Sequence, residues 1–104
     1  MPVLHLTLEK RWFDLIASGA KKIEYRIAKP YWQTRLQRGI TPRSDFAEVH
    51  FRNGYRSYSP FMRVECHGIV WFDPSKTPAF EPKHGEILEG CQFGILLGAV
   101  LELR

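Results

Sequence analysis

Short apolar–polar alternations through most of the chain, two helical segments confined to its first part, and glycines at the joints predict an α+β fold. The expected architecture is a small mixed β-barrel of about five to six strands with two short helices near the N-terminus. With 104 residues, 44% of them hydrophobic, the chain is long enough to build a core and is read as a single domain, 1–104. Closing the sheet on itself would also remove exposed strand edges.

Each element has its own signal. From Val3 to Leu8 the residues Leu4, Leu6 and Leu8 share one face while Val3, His5 and Thr7 share the other, which predicts a strand. Thr7 is the expected N-cap of the helix that follows, with Glu9 in its first turn. Leu8, Trp12, Leu15 and Ile16 fall at helical spacing, and Gly19 ends that helix, predicted over Glu9–Ser18. The period changes to two at Lys22–Ile27, with Ile23, Tyr25 and Ile27 on one face and Lys22, Glu24 and Arg26 on the other. Pro30 opens a second short helix closed by Gly39. Trp32 and Leu36 form its apolar pair, and Tyr31, Arg35 and Arg38 gather on another face.

Ala47, Val49 and Phe51 alternate with Glu48, His50 and Arg52 in the next strand, and Asn53-Gly54 after it predicts a hairpin turn. Met62, Val64, Cys66, Val70 and Phe72 share one parity in a long strand, with a bend or bulge expected at Gly68. Residues 73–90 contain Pro74, Pro78 and Pro82 with little periodicity and read as a long loop of the kind that covers a site. Phe93, Ile95 and Leu97 make a last strand that Val100–Leu103 extends past Gly98.

Charge is unevenly distributed. Residues 1–63 hold twelve Lys and Arg against five Asp and Glu, whereas residues 64–104 hold three against six. That asymmetry predicts a basic face. The two cysteines are not closely spaced, which argues against a disulfide-stapled scaffold or a paired-cysteine zinc site. No metal or cofactor is expected. The absence of a leader pattern or a long apolar run points to a cytoplasmic protein with no membrane partner; the oligomeric state is left open.

The densest chemical feature is Ser18-Gly19-Ala20-Lys21-Lys22-Ile23-Glu24-Tyr25-Arg26. It sets a cation at a turn and then an anion and a second cation on one face of a strand. Such a trio can grip a phosphate or a polarised carbonyl, with Glu24 as a base or as the group that orients Lys21. The structural alternative is an exposed charge ladder on a half-covered strand.

The spacing Gly19-x-Lys21-x-x-Glu24-x-Arg26 resembles the signature of the ASCH domain, a branch of the PUA-like superfamily. The preceding strand and helix, the Tyr31-Trp32 pair and Phe51-Arg52-Asn53-Gly54-Tyr55 extend the resemblance to small bacterial-type members. It implies a PUA-like barrel with a groove beside the motif, and RNA, a nucleotide or a modified nucleoside as ligand. Lys21, Glu24 and Arg26 would form the floor of the groove, with Arg52, Asn53 and Tyr55 at its rim and Tyr31, Trp32 and Arg35 on the neighbouring helix. Within the same resemblance, Lys21 matches the catalytic lysine of 4-acetylcytidine amidohydrolases, but Glu24 stands where those enzymes carry a threonine nucleophile. Lys21 and Glu24 are therefore the candidate catalytic pair of an alternative, metal-free hydrolase, acting on an acetylated nucleoside or on RNA. Its further acid is left open among Glu65, Glu81, Glu86 and Glu89.

Apart from the resemblance, Arg52, Arg56, Tyr55 and Tyr58 surround Asn53-Gly54. Guanidinium groups meeting phosphates and rings stacking on bases are the combination used for single-stranded RNA. Read singly, each tyrosine is as well explained by packing on the barrel, and a protein-interaction surface is the third reading. His67 and Cys66 point to opposite faces of their strand and cannot chelate together. Cys66 falls on the apolar side, and Cys91 has no partner by sequence.

Overall fold

The computed structural model describes residues 2–76, 83–88, 90 and 92–104. Pro78, Glu81, Pro82, Glu89 and Cys91 lie outside the described residues. The elements run β1 (Val3–Thr7), α1 (Lys10–Ala17), β2 (Ile23–Ile27), α2 (Pro30–Leu36), β3 (Gln37–Arg38), β4 (Thr41–Pro42), β5 (Glu48–Arg52), β6 (Phe61–Phe72) and β7 (Gln92–Leu103). The five longer strands form one mixed sheet in the order β1-β5-β6-β7-β2, and β3 and β4 make a separate small hairpin. β1 and β5 are parallel; the other neighbours in the large sheet are antiparallel. The sheet curls into a half-barrel, so the fold is α+β with two short helices.

The long strands β6 and β7 carry the curl. Their register shifts between Arg63 and Val64, between Val64 and Cys66, and between Cys66 and Gly68, and Gly68 takes a φ of 128° that an L side chain rarely adopts. Gly98 opposes this bend: a Cβ there would sit 2.2 Å from His67 Nε2 and 2.8 Å from Glu65 Oε1, so a larger residue would displace the ends of those two side chains.

Inside the curl, Leu4 and Leu6 of β1, Val49 and Phe51 of β5, Met62 and Val64 of β6, and Phe93 and Ile95 of β7 form one core with Leu36 of α2. Helix α1 contributes Phe13 and Ile16. Each fully buried ring or branched chain contributes roughly 1.5–3 kcal/mol.

Several local expectations change in the folded chain. Thr7 does not cap α1. It pairs with Arg52 as the last residue of β1, and the Leu8 amide continues the contact to the Arg52 carbonyl at 2.8 Å. The helix therefore begins later, with Glu9 at the N-cap position and no side-chain cap. Trp12 is not central to the core; Phe13 takes that position and Trp12 packs at its margin. Helix α2 ends at Leu36, before Gly39, because the chain turns at once into the β3–β4 hairpin. Asn53-Gly54 does not form a two-residue turn. The Asn53 amide bonds the Pro60 carbonyl at 3.0 Å while its side chain bonds the Leu8 carbonyl at 2.9 Å. Pro60 has no N–H to continue the ladder, and residues 53–60 bulge out as a loop.

Candidate functional site

The turn after α1 fixes the central lysine. Gly19, with φ +83°, reverses the chain, and the Gly19 amide bonds the Ile16 carbonyl at 3.0 Å. The Lys21 amide then bonds the Leu15 carbonyl at 3.1 Å, and the Lys22 carbonyl accepts from the Leu97 amide at 2.9 Å. Lys21 is thereby held between the helix end and β7, with its side chain only 2% exposed. Its ammonium lies 5.1 Å from the Trp12 ring centre and 4.9 Å from that of Tyr25. Two aromatic faces thus replace much of the water it has lost.

Two carboxylates complete the setting. Lys21 Nζ donates to Glu86 Oε2 at 2.9 Å and stands 3.8 Å from Glu24 Oε1. Glu24 is 6% exposed and accepts from Arg26 Nη2 through its other oxygen at 2.9 Å. Burial pushes the Glu24 carboxyl above its ordinary value, against the opposing pull of Arg26 and Lys21. Glu86 goes the other way. Burial raises it, but the Lys21 hydrogen bond and backbone donors outweigh that and leave it below its ordinary value. Burial also raises Tyr25, and Glu86 and Glu24 add to the effect. One lysine therefore separates two carboxyls of opposite proton affinity.

Arg26 reaches further. Its Nη2 makes a long 3.5 Å contact with the Thr7 carbonyl at the end of β1, and its guanidinium lies 5.1 Å from the Trp32 ring centre. Arg26 Nε is buried without a hydrogen-bond partner, the one such side-chain atom among the described residues.

These groups line a cavity of about 560 Å³ between the open ends of β1 and β2, a size that suits a small organic ligand. Trp12, Tyr25 and Trp32 supply ring surface, and Ile87 and Tyr55 stand at its margin. Lys21, Arg26 and Lys29 line it together with Glu9, Glu24 and Glu86, so its formal charges balance. That composition fits a neutral ring with donors and acceptors along its edge better than a bare phosphate.

Of the residues singled out from the sequence, Lys21, Glu24, Arg26, Trp32 and Tyr55 line the cavity. Arg52 and Asn53 stand behind its rim as supports. Arg52 Nη1 donates to the Ser57 and Ser59 carbonyls, and the Asn53 side chain holds Leu8. Tyr31 and Arg35 stack on each other along α2, with the guanidinium 3.6 Å from the ring centre, and do not line the cavity. Glu65 lies elsewhere, beside His67 and the Ala99 amide. No spacing singles out Glu86 among the candidate carboxylates, and helical spacing alone groups Trp12 with Leu15 and Ile16. Both line the cavity: the turn after α1 folds Lys21 back to Trp12, and tertiary folding brings Glu86 to it.

The segment carrying Glu86 is tied to α1 and to the turn after it. His84 Nε2 donates to the Ala20 carbonyl at 3.1 Å, the His84 amide bonds Glu86 Oε1 at 2.7 Å, and Arg11 donates to the His84 carbonyl. Among the described residues no three His, Cys, Asp or Glu side chains group as a metal site, and no helix is long and apolar enough to cross a membrane. No family model, curated protein or solved structure matches this chain.

Proposed function

We propose that this chain is a PUA-like ASCH domain that binds RNA or a nucleotide by enclosing one base in the cavity. The observation that carries the reading is the placement of the Gly19-x-Lys21-x-x-Glu24-x-Arg26 segment. Its three charged side chains form the polar wall of a pocket whose other surfaces are Trp12, Tyr25 and Trp32. A base offers flat faces to the rings and an edge of donors and acceptors to the charges. Stacking on such rings is worth about 1–3 kcal/mol per base, and a carboxylate beside an ammonium meets a base amino group and its neighbouring acceptor together. The test is a tryptophan-fluorescence titration with the four ribonucleosides and N4-acetylcytidine. Saturable quenching in the wild type and its loss in Lys21→Ala are expected. No quenching by any of the five at millimolar concentration would overturn the reading.

A second reading, metal-free hydrolysis in the same cavity, is favoured by the Lys21–Glu86 bond. Glu86 aims the lysine, while Glu24, with its raised proton affinity, is the better base. In this route Glu24 takes a proton from water, and the water oxygen bonds the amide carbon as Lys21 faces the developing oxyanion. The C–N bond then breaks as Glu24 returns the proton to the leaving amine. Mass spectrometry of a short RNA bearing one acetylated cytidine, incubated with chelator, tests it. Deacetylation by the wild type and not by Lys21→Ala supports hydrolysis; RNA left intact by both removes it.

A further inference from the structure

The loop over residues 53–60 is ordered by its own bonds and yet turns its rings outward. Besides the Asn53 contacts, Arg52 Nη1 donates to Ser57 and Ser59 carbonyls at 3.1 and 3.0 Å. The Arg56 amide bonds Ser59 Oγ at 3.2 Å, and the Ser59 amide returns a bond to the Arg56 carbonyl at 3.0 Å. Gly54 makes this packing feasible: its φ is +126°, and a Cβ there would lie 2.6 Å from Ser59 Oγ. Despite this, Tyr55 is 93% exposed and Tyr58 75% exposed. Arg56 lies between them in sequence and donates from Nη1 to the Tyr58 hydroxyl at 2.5 Å. Among the described residues Arg56 has no carboxylate partner, and neither does Lys29 at the cavity.

A fixed loop bearing a ring, a guanidinium without a carboxylate partner and a second ring has no packing role that explains its ties. Tyr55 also borders the cavity, so the loop continues the surface on which the enclosed base would sit. The cavity's own charges balance, which leaves a phosphate better placed outside, where Arg56 can meet it. We infer that the enclosed base belongs to a single-stranded oligonucleotide, and that the 53–60 loop is the platform for its neighbouring nucleotide. A flanking base stacks on Tyr55 or Tyr58, and the intervening phosphate meets Arg56. This inference rests on the base-binding reading above and adds that the ligand is a chain.

The experiment compares affinities for the four ribonucleosides with those for pentaadenylate, pentacytidylate, pentaguanylate and pentauridylate at low and moderate salt. The pentanucleotide of the preferred base is expected to bind at least about tenfold tighter than its nucleoside, and to lose that advantage as salt rises. Tyr58→Ala and Arg56→Ala are expected to weaken the pentanucleotide about five- to tenfold and leave the nucleoside unchanged, while Tyr58→Phe retains binding. Tyr55→Ala is expected to weaken the pentanucleotide more than the nucleoside. These exposed side chains can be replaced without touching the core, and circular dichroism checks the fold. If nucleosides bind and require Lys21, yet pentanucleotides bind no tighter and Tyr58→Ala changes nothing, the platform is refuted and the base-binding reading stands. If no nucleoside binds and Lys21→Ala leaves pentanucleotide affinity unchanged, the base-binding reading falls and the platform falls with it.

Discussion

Two charge clusters of similar composition lie in very different settings. On the outer face of the sheet, Arg63 bridges Glu48 and Glu102 at 2.8 and 2.9 Å across β5, β6 and β7, and His50 adds a 3.0 Å contact to Glu48. In the cavity, Lys21 and Arg26 meet Glu24 and Glu86 at comparable distances. The outer groups keep about a third of their surface in water, whereas Lys21, Glu24 and Glu86 keep less than a tenth. Water screens the first cluster and the protein must satisfy the second. The same ion-pair chemistry is a solvated brace in one place and an enclosed, mutually dependent cluster in the other, and burial makes the difference.

The sharpest way to test that contrast is to remove the buried cation. Lys21→Met fills similar volume but leaves two enclosed carboxyls without their shared partner, and is expected to cost about 3–5 kcal/mol in urea unfolding. A loss near zero would mean that water reaches the cluster freely.

Glu86→Gln comes next. It removes one charge-assisted bond and is expected to cost about 1.5–3 kcal/mol near neutral pH. Because the folded carboxyl is held below its ordinary 4.5, its contribution is present above that value and is lost as pH falls through the lowered folded value. The wild type and Glu86→Gln are therefore expected to converge in acid. A gap that persists unchanged through the acid range would contradict the assignment.

Glu24→Gln should show the opposite sign. The folded carboxyl of Glu24 is raised above 4.5, so its favourable contribution is complete below 4.5 and is lost as pH rises through the folded value. The glutamine, which resembles the protonated form, is expected to equal or exceed the wild type in stability near neutral pH while weakening ligand binding. Parallel pH profiles for Glu24→Gln and Glu86→Gln would erase the distinction between the two carboxyls. The smallest effect is expected from Arg63→Ala on the outer face: a melting temperature close to wild type and unchanged nucleoside affinity. An Arg63→Ala loss that rivals Lys21→Met would dissolve the comparison altogether.

Much of the architecture was legible because it rests on local periodicity. The alternation at Val3–Leu8, the glycine stop after α1, the long strand bent at Gly68 and the last strand continuing past Gly98 all correspond to elements of the fold. What local pattern could not supply was inside and outside. Lys22, Glu24 and Arg26 share a parity that reads as a solvent face, but the edge strand β2 turns Glu24 into the cavity and leaves Ile27 45% exposed. Helical spacing groups Trp12 with Leu15 and Ile16 because it cannot distinguish a ring packed in the core from one facing a pocket. Glu86 was one of four carboxylates with equal claim, since its approach to Lys21 spans 65 positions of sequence and depends on tertiary folding alone. Lys21, Glu24 and Arg26 were legible as a group because one turn and one strand place them.

The contact between Arg26 and the Thr7 carbonyl has a mechanical meaning. β1 and β2 are the two outer strands of the sheet, and at this point a side chain, not a backbone ladder, spans the gap between them. The half-barrel has a seam, and the cavity opens along it. Spreading the seam breaks no strand pairing, so the wall that meets a ligand can yield while β6 and β7 stay locked. Backbone amides on β2 should exchange with solvent sooner than those in the middle of β6, and a molecule wedged in the cavity should slow β2 most. The fold thus has a spine in β6 and β7 and, at its seam, two edge strands that the Arg26 side chain ties together.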